Sequence, residues 1–326
     1  MRTLTSLNWV RAVALIFEIP ACLCFGAQAS FSYILRPSRV AALDFGSTQT
    51  SFHAAAQIRE LFRGTNSNKR QTAIDEFEVI DPDEARAAAL GAGYKESLNL
   101  ELQQARDLGA AIGCDFYFLG DAETVKRSPS TGASYFESFA SVFLVSARTG
   151  RLVLWERPNV QRDSPEESEK ALLAMLASEE TRQRYVIAIR RALEQERAER
   201  ASATEINAPV IDIMSDENSE ADKGVRAPRA YRRLKPPYPE TAARAEAEAT
   251  VDALVDIDAR GEVGRIEIVR WAGYGLDQSV VDTVKQMHFF PAMRNAIAIP
   301  MRVLLRYNFR KPPIQNSTPQ KRMSER

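Results

Sequence analysis

Apolar and polar residues alternate with a period of two in the last third of the chain. From Val251 to Asp258 apolar side chains alternate with mostly acidic ones, as in a strand with one wetter face. A turn ending in Gly261 follows, where glycine can adopt a positive φ, and a second run extends from Val263 to Arg270. The pattern predicts a β-hairpin.

A helical stripe and a third strand follow the hairpin. The stripe consists of Leu276, Val280, Val281, Val284 and Met287. Pro291 cannot continue this helix, and from Met301 to Phe309 the alternation returns to a period of two. The order strand, strand, helix, strand predicts a small α+β domain over residues 230–310.

The segment 36–156 has a different pattern, in which short apolar runs alternate with amphipathic ones. Buried-type strands are predicted at Val40–Phe45 and Phe77–Ile80, and longer ones at Asp115–Val125 and Ser134–Ala147. Helices are predicted between them, one beginning at the N-cap Asp81. This alternation predicts an α/β domain.

The remaining segments connect or flank these two predicted domains. Residues 164–200 carry an apolar stripe among many charges and are predicted to be helical. Residues 201–229 are polar and aperiodic, which indicates a linker. Residues 311–326 form a basic tail.

Residues 1–29 are typical of a targeting segment. Arg2 and Arg11 flank a polar start, and the run from Ala12 to Phe25 that follows is mostly apolar. Ala27-Gln28-Ala29 before Ser30 fits a cleavage site between Ala29 and Ser30. We expect an exported protein of the periplasm or cell envelope. Retention of the segment as an inner-membrane anchor is the alternative, and a lipid on Cys22 or Cys24 is a third option.

Composition argues against several classes of function. The 43 basic and 43 acidic residues balance, whereas a nucleic-acid-binding domain is usually basic. Two histidines, His53 and His288, and one cysteine beyond the targeting segment, Cys114, provide no zinc site or Cys–His pair at a recognisable spacing. Asp256 and Asp258 stand two apart on one strand face, but a solvated strand end explains them better than an acid–base pair. We therefore expect no enzyme, no cofactor and no metal.

The C-terminal segment resembles the C-terminal domain of the TonB family. The resemblance rests on an opening Tyr-Pro-Glu pattern and an aromatic-Pro-Ala turn after the helix. Its motif residues are Tyr238, Pro239, Glu240, Phe289, Pro291 and Ala292. Where the family usually has tryptophan, this chain has Met287.

This resemblance implies a protein that docks onto outer-membrane transporters by strand pairing. The partner-binding residues would be those of the last strand, which would add an extended peptide to its edge. They are Met301, Arg302, Val303, Leu304, Leu305, Arg306, Tyr307, Asn308 and Phe309. The function expected is that of a TonB-like periplasmic adaptor, linked to energy-coupled transmembrane transport.

Residues 36–156 resemble the N-terminal domain of TolB and the related CsgG-like periplasmic domains. This second resemblance rests on the two short strands, on Gly113-Cys114-Asp115, and on Val145–Gly150 before Trp155. It implies an envelope scaffold or a partner-binding domain. The alternative function is therefore a non-catalytic structural or self-associating protein of the cell envelope, with an envelope protein or a second copy of this chain as partner.

Overall fold

Two twelve-residue strands, each alternating between two buried faces, form the centre of the N-terminal part. In Phe116–Arg127, for example, Phe116 and Phe118 enter one core while Tyr117 and Leu119 enter the other. Because both faces are apolar, helices must cover both.

The structure is a computed structural model, and it describes residues 37–63, 76–202, 210–212 and 225–311.

The α/β region, residues 37–202, contains six strands and five helices among its described residues. In chain order they are β1 (Ser38–Ala42), α1 (Gln49–Phe62), β2 (Phe77–Val79), α2 (Pro82–Gly91), α3 (Leu102–Ile112), β3 (Phe116–Arg127), β4 (Tyr135–Ser146), β5 (Leu152–Glu156), β6 (Asn159–Arg162), α4 (Pro165–Leu176) and α5 (Glu179–Ser202). The strands form one sheet in the order β2-β1-β3-β4-β5, with β6 also paired to β4. β1 is parallel to β2 and β3, and the other pairs are antiparallel.

Local sequence signals set the ends of the helices. The side chain of Asp81 accepts hydrogen bonds from the N–H groups of Asp83 and Glu84, so it caps α2 as predicted. Gly113 ends α3 at a φ of 73°, in the left-handed region that favours glycine.

The helical segment predicted at 164–200 is part of this region. Leu172 and Leu176 of α4 and Tyr185 and Ile189 of α5 are fully buried in the core that also contains α1. The α/β region therefore extends to residue 202, whereas the sequence interpretation ended it at residue 156.

Eleven further elements make up the rest of the described chain. They are β7 (Val210–Asp212), β8 (Val225–Arg226), β9 (Arg229–Ala230), α6 (Glu240–Ala245), β10 (Ala249–Ile257), β11 (Val263–Arg270), α7 (Leu276–Val284), β12 (Phe289–Phe290), β13 (Ala292–Arg294), β14 (Ile297–Ile299) and β15 (Met301–Phe309), one of which, β7, lies apart from the C-terminal region 225–311. The main sheet has the order β11-β10-β15-β7, and α7 packs on one face. The predicted order of strand, strand, helix and strand is confirmed.

The predicted linker, residues 201–229, contributes to the fold where the structure describes it. β7 pairs in parallel with β15, and β8 pairs with β13. Short strands such as these carry no periodicity that a sequence pattern could reveal.

The C-terminal region packs directly against the α/β region, so that the described residues between 37 and 311 form one compact unit. Trp271 is 2% exposed and lies in the core of α2 and α3, where its indole N–H donates to the carbonyl of Gly150 at 3.0 Å. The Asn99 amide donates to the carbonyls of Thr250 and Trp271 and accepts from the Thr250 N–H at 3.1 Å. The side chain of Asn99 thus satisfies backbone groups at the end of the C-terminal sheet.

This contact changes one sequence interpretation. On the predicted wet face of the first strand, Asp252 is buried and only 3% exposed, whereas Leu254, Asp256 and Asp258 are partly exposed. The targeting segment 1–29 and its cleavage residues Ala29 and Ser30 lie outside the described residues, as does most of the basic tail.

Candidate functional site

The two edges of β15 have different neighbours. On its inner edge β15 pairs with β10 along its whole length, from Met301 opposite Ile257 to Phe309 opposite Ala249. On its outer edge β7 pairs only with residues 302–304. Among the described residues, no strand pairs with the outer edge from Leu305 onward.

The two faces of β15 follow the predicted alternation. Met301, Val303, Leu305 and Phe309 are buried in the core beneath α7, and Tyr307 is half-buried there. Arg302, Leu304 and Arg306 are partly exposed on the opposite face, and Asn308 is exposed.

The arginines of β15 are held by carboxylates of the neighbouring strand. Arg302 donates to Asp256 at 2.8 Å, and this hydrogen bond raises the pKa of Arg302. Arg306 donates to the two oxygens of Asp252 at 2.7 and 3.0 Å, and Arg270 donates to the same carboxylate at 3.1 Å. Two cations thus compensate the buried charge of Asp252. These pairs fix the orientation of both β15 arginines.

The predicted family-motif residues build the fold, and neither β12 nor β13, the strands that contain two of them, pairs with β15. Tyr238 donates its hydroxyl to the carbonyl of Ala247 at 2.7 Å. Pro239 is the N-cap residue of α6, and Glu240 begins that helix. Phe289 and Ala292 are 2% and 1% exposed, and Pro291 separates β12 from β13.

Gly261 is required by the turn that supports this motif. Its φ of 86° lies in the left-handed region, and a Cβ atom there would lie 1.7 Å from the carbonyl oxygen of Phe289. The Phe289 N–H in turn donates to the carbonyl of Gly261 at 2.9 Å. The hairpin turn and the motif phenylalanine are therefore joined backbone to backbone.

Asp277, which the helical pattern places on the outer side of α7, instead holds the preceding loop. Its two carboxylate oxygens accept from the N–H groups of Ala272 and Gly273, each at 2.8 Å. Burial raises the pKa of Asp277 to about 6, although these hydrogen bonds act in the opposite direction.

The structure gives the surroundings of His53, His288 and Cys114, which the sequence analysis considered for a zinc site or a Cys–His pair. Among the described residues there is no cluster of three or more His, Cys, Asp or Glu side chains that could hold a metal ion. His53 and His288 are exposed, and each pairs with a glutamate on the surface. Burial raises the pKa of Cys114 to about 12, which disfavours the nucleophilic thiolate.

The candidate acid–base pair also has structural partners. Asp256 binds Arg302, and Asp258 accepts from the N–H groups of Arg260 and Glu262 within the hairpin turn. The backbone hydrogen bond from Glu262 is the largest of several causes that lower the pKa of Asp258.

Comparison with protein families decides the nature of the C-terminal region. The model of the family described as "Gram-negative bacterial TonB protein C-terminal" matches residues 235–310. The chain carries a TonB C-terminal domain. This family is non-enzymatic in general, belongs to periplasmic proteins of the envelope, and interacts with outer-membrane transporters.

Three solved structures are among those to which this chain is similar. The TonB C-terminal domain of Pseudomonas aeruginosa is 16% identical, with 32% of this chain and 94% of that chain covered and a TM-score of 0.24. A lipoprotein from Neisseria meningitidis is 16% identical, with 45% and 97% covered and a TM-score of 0.27. The LpoB C-terminal domain from Salmonella enterica is 12% identical, with 39% and 84% covered and a TM-score of 0.26. No curated protein matches the chain.

In the part of the chain that the structure describes, no helix is both long and apolar enough to cross a bilayer.

Sequence reasoning found the TonB domain and its last strand, but it missed two features of the structure. One is β7, and the other is the packing of Trp271 into the α/β region. Trp271 follows directly after a predicted strand, and a large apolar residue at a strand end is the one signal that could have indicated a contact there.

Proposed function

We propose that this protein is a TonB-like periplasmic adaptor whose β15 edge binds extended peptide segments of outer-membrane transporters. The observation that carries the proposal is the outer edge of β15. It accepts the short strand β7 at residues 302–304, and from residue 305 to 309 it has no strand neighbour in the described chain.

Backbone pairing explains why such an edge binds peptides. An unpaired edge strand presents N–H and C=O groups that an extended chain can satisfy. The pairing of β15 with β10 along nine registered positions, from Met301 to Phe309, makes this edge a rigid template. We assign the partner contacts to the backbone of residues 301–309, with affinity from main-chain hydrogen bonds.

The side chains of β15 would then contribute unequally to specificity. Arg302 and Arg306 are already bound to Asp256 and Asp252, so they would offer a partner only their remaining donors. Leu304 is partly exposed on the same face. We place the protein in the periplasm or cell envelope, with energy-coupled transport as its process and an inner-membrane anchor as the alternative to a cleaved export signal.

Titration of the full chain with N-terminal peptides of outer-membrane transporters tests the proposal. We expect binding by at least one peptide, together with slower amide exchange of residues 305–309, because new ladder hydrogen bonds form there. The matched control is the same peptide N-methylated at alternate residues, which keeps its side chains but removes backbone donors and should bind at least about tenfold more weakly.

Failure of every peptide to bind, with the chain folded, would refute the adaptor function. A folded chain that binds no peptide and forms stable homo-oligomers would instead support the structural, self-associating envelope protein.

A further inference from the structure

A cavity of about 240 Å³ lies beside the unpaired part of the β15 edge. Its apolar walls come from the segment that precedes the TonB motif, from the end of α7 and from β15. They are the side chains of Ala230, Leu234, Met287, Phe289, Leu305 and Tyr307. Such an apolar cavity at the surface of an envelope protein suits an apolar side chain of a partner.

The rim of the cavity is basic. Arg229, Arg233, Lys235 and Arg306 line it, and no described carboxylate does. Arg306 is bound to Asp252, and Arg229 lies 5.1 Å from the centre of the Phe290 ring. Neither Arg233 nor Lys235 forms an ion pair with any described carboxylate, and both are exposed. A positive rim around an apolar cavity is complementary to carboxylates that flank an apolar group.

The location of the cavity connects it to the β15 edge. β7 ends with Asp212 opposite Leu304, and the next three residues of β15, Leu305 to Tyr307, line the cavity. A strand paired with residues 305–309 would alternate its side chains between the two faces of the sheet. Those on the α7 face would point towards the cavity, because Leu305 and Tyr307 lie on that face.

We infer that this cavity is the specificity pocket for the partner peptide, taking one apolar side chain while Arg229, Arg233 and Lys235 bind flanking carboxylates. The inference rests on the proposed function and specifies the partner: an extended peptide with an aliphatic or aromatic residue between acidic ones. Met287 has the size and flexibility to adapt the pocket floor to different apolar groups.

The test uses the full chain and the probe peptide acetyl-Ser-Val-Asp-Leu-Glu-Val-Ser-amide. Two matched peptides replace the acids by lysine or the leucine by serine. We expect Arg233→Glu to weaken binding of the acidic peptide about fivefold or more at low salt and to strengthen binding of the lysine peptide, because the rim charge is reversed. The serine peptide should bind more weakly to the unmodified chain.

Arg232→Glu is the control variant. Arg232 is an exposed neighbour with the same charge that does not line the cavity, so its reversal should change affinity less than about twofold. Amide exchange of residues 305–309, followed in the same samples, reports strand pairing separately from pocket occupancy.

The possible results separate the two proposals. Equal binding of all three peptides with protection of residues 305–309 would overturn the pocket and leave the adaptor function standing. No binding and no protection with these three peptides, together with failure of every transporter peptide, would overturn both. Binding of anionic phospholipid vesicles that is lost in Arg233→Glu, with the peptides unaffected, would overturn the pocket as a peptide site.

Discussion

Phe289 and Phe290 are adjacent residues with opposite environments. Phe289 is 2% exposed in the core with Val280, Val284 and Val303, whereas Phe290 is 42% exposed and packs against Tyr231 at a ring distance of 4.1 Å. Phe289 is therefore a core residue. α7 contributes Val280 and Val284 to this core and leaves Val281 half-buried.

Truncation of the two phenylalanines should therefore have unequal costs. Phe289→Ala should lower the free energy of unfolding by about 3–5 kcal/mol, since it leaves a cavity in the core. Phe290→Ala should cost about 1 kcal/mol, because most of its environment is solvent or one exposed tyrosine. Chemical denaturation of both variants measures the difference, and equal losses would show that the turn is placed in the wrong register.

Asp277 should make stability depend on pH. Its pKa is about 6 in the folded chain and about 3.9 when unfolded, so between these values the folded chain binds the proton more tightly. The contribution of Asp277 to the free energy of unfolding therefore falls as pH rises from about 4 to 6, by at most about 3 kcal/mol. Asp277→Asn cannot titrate and should lose this part of the pH dependence.

Denaturation at several pH values between 4 and 7 measures this contribution. Asp282→Asn is the matched control, because Asp282 is an exposed residue of the same helix that accepts a hydrogen bond from Gln278. If both asparagine variants keep the pH profile of the unmodified chain, Asp277 is not the titrating group.

For single residues, the sequence predicted the positions that depend only on the periodicity of one helix or strand. Periodicity places Phe289 and Phe290 on opposite sides, because adjacent residues of an extended segment alternate. The resemblance to the family motif then assigns Phe289 to the inside. It could not place Asp277 or Trp271, whose partners lie outside their own element: the loop amides for one and the carbonyl of Gly150 for the other. The periodicity of a helix shows which face a residue occupies, but it does not predict a loop that folds back over that face.

At the scale of elements, β7 and a bound peptide would compete for the outer edge of β15. β7 is only three residues long and pairs with residues 302–304, so it holds the beginning of the edge with few hydrogen bonds. A peptide that pairs with the whole of β15 must displace it. The sequence predicted β15 but not this occupant, since three residues within a polar segment show no period.

Replacement of the three residues of β7 by glycine should therefore strengthen binding of a peptide that pairs with residues 302–309 by about three- to tenfold. Glycine has low strand propensity, so the competing strand is lost. In the free chain, amides of residues 302–304 should exchange faster. The matched control changes Val225 and Arg226 of β8 to glycine, since β8 pairs with β13 instead. Weaker binding by the β7 variant would mean that β7 supports the peptide site.

At the scale of the whole molecule, the sequence predicted the fold class of each region but not the contact between the two regions. The α+β region and the α/β region are each recognisable from their own periodicities. Their contact depends on Asn99 and Trp271, which are 172 positions apart in sequence and joined by one hydrogen bond. No local pattern marks such a pair, because each residue is ordinary within its own segment.

The Asn99 and Trp271 contacts also set how a mechanical load would travel through this protein. A pull on a peptide held at β15 would pass through β10 to the Thr250 backbone and from there, through the Asn99 amide, into the α/β region. A flexible linker would have to extend before it transmitted force. Here, packed and hydrogen-bonded contacts connect the two regions directly. The α/β region would thus take up strain at the onset of the pull.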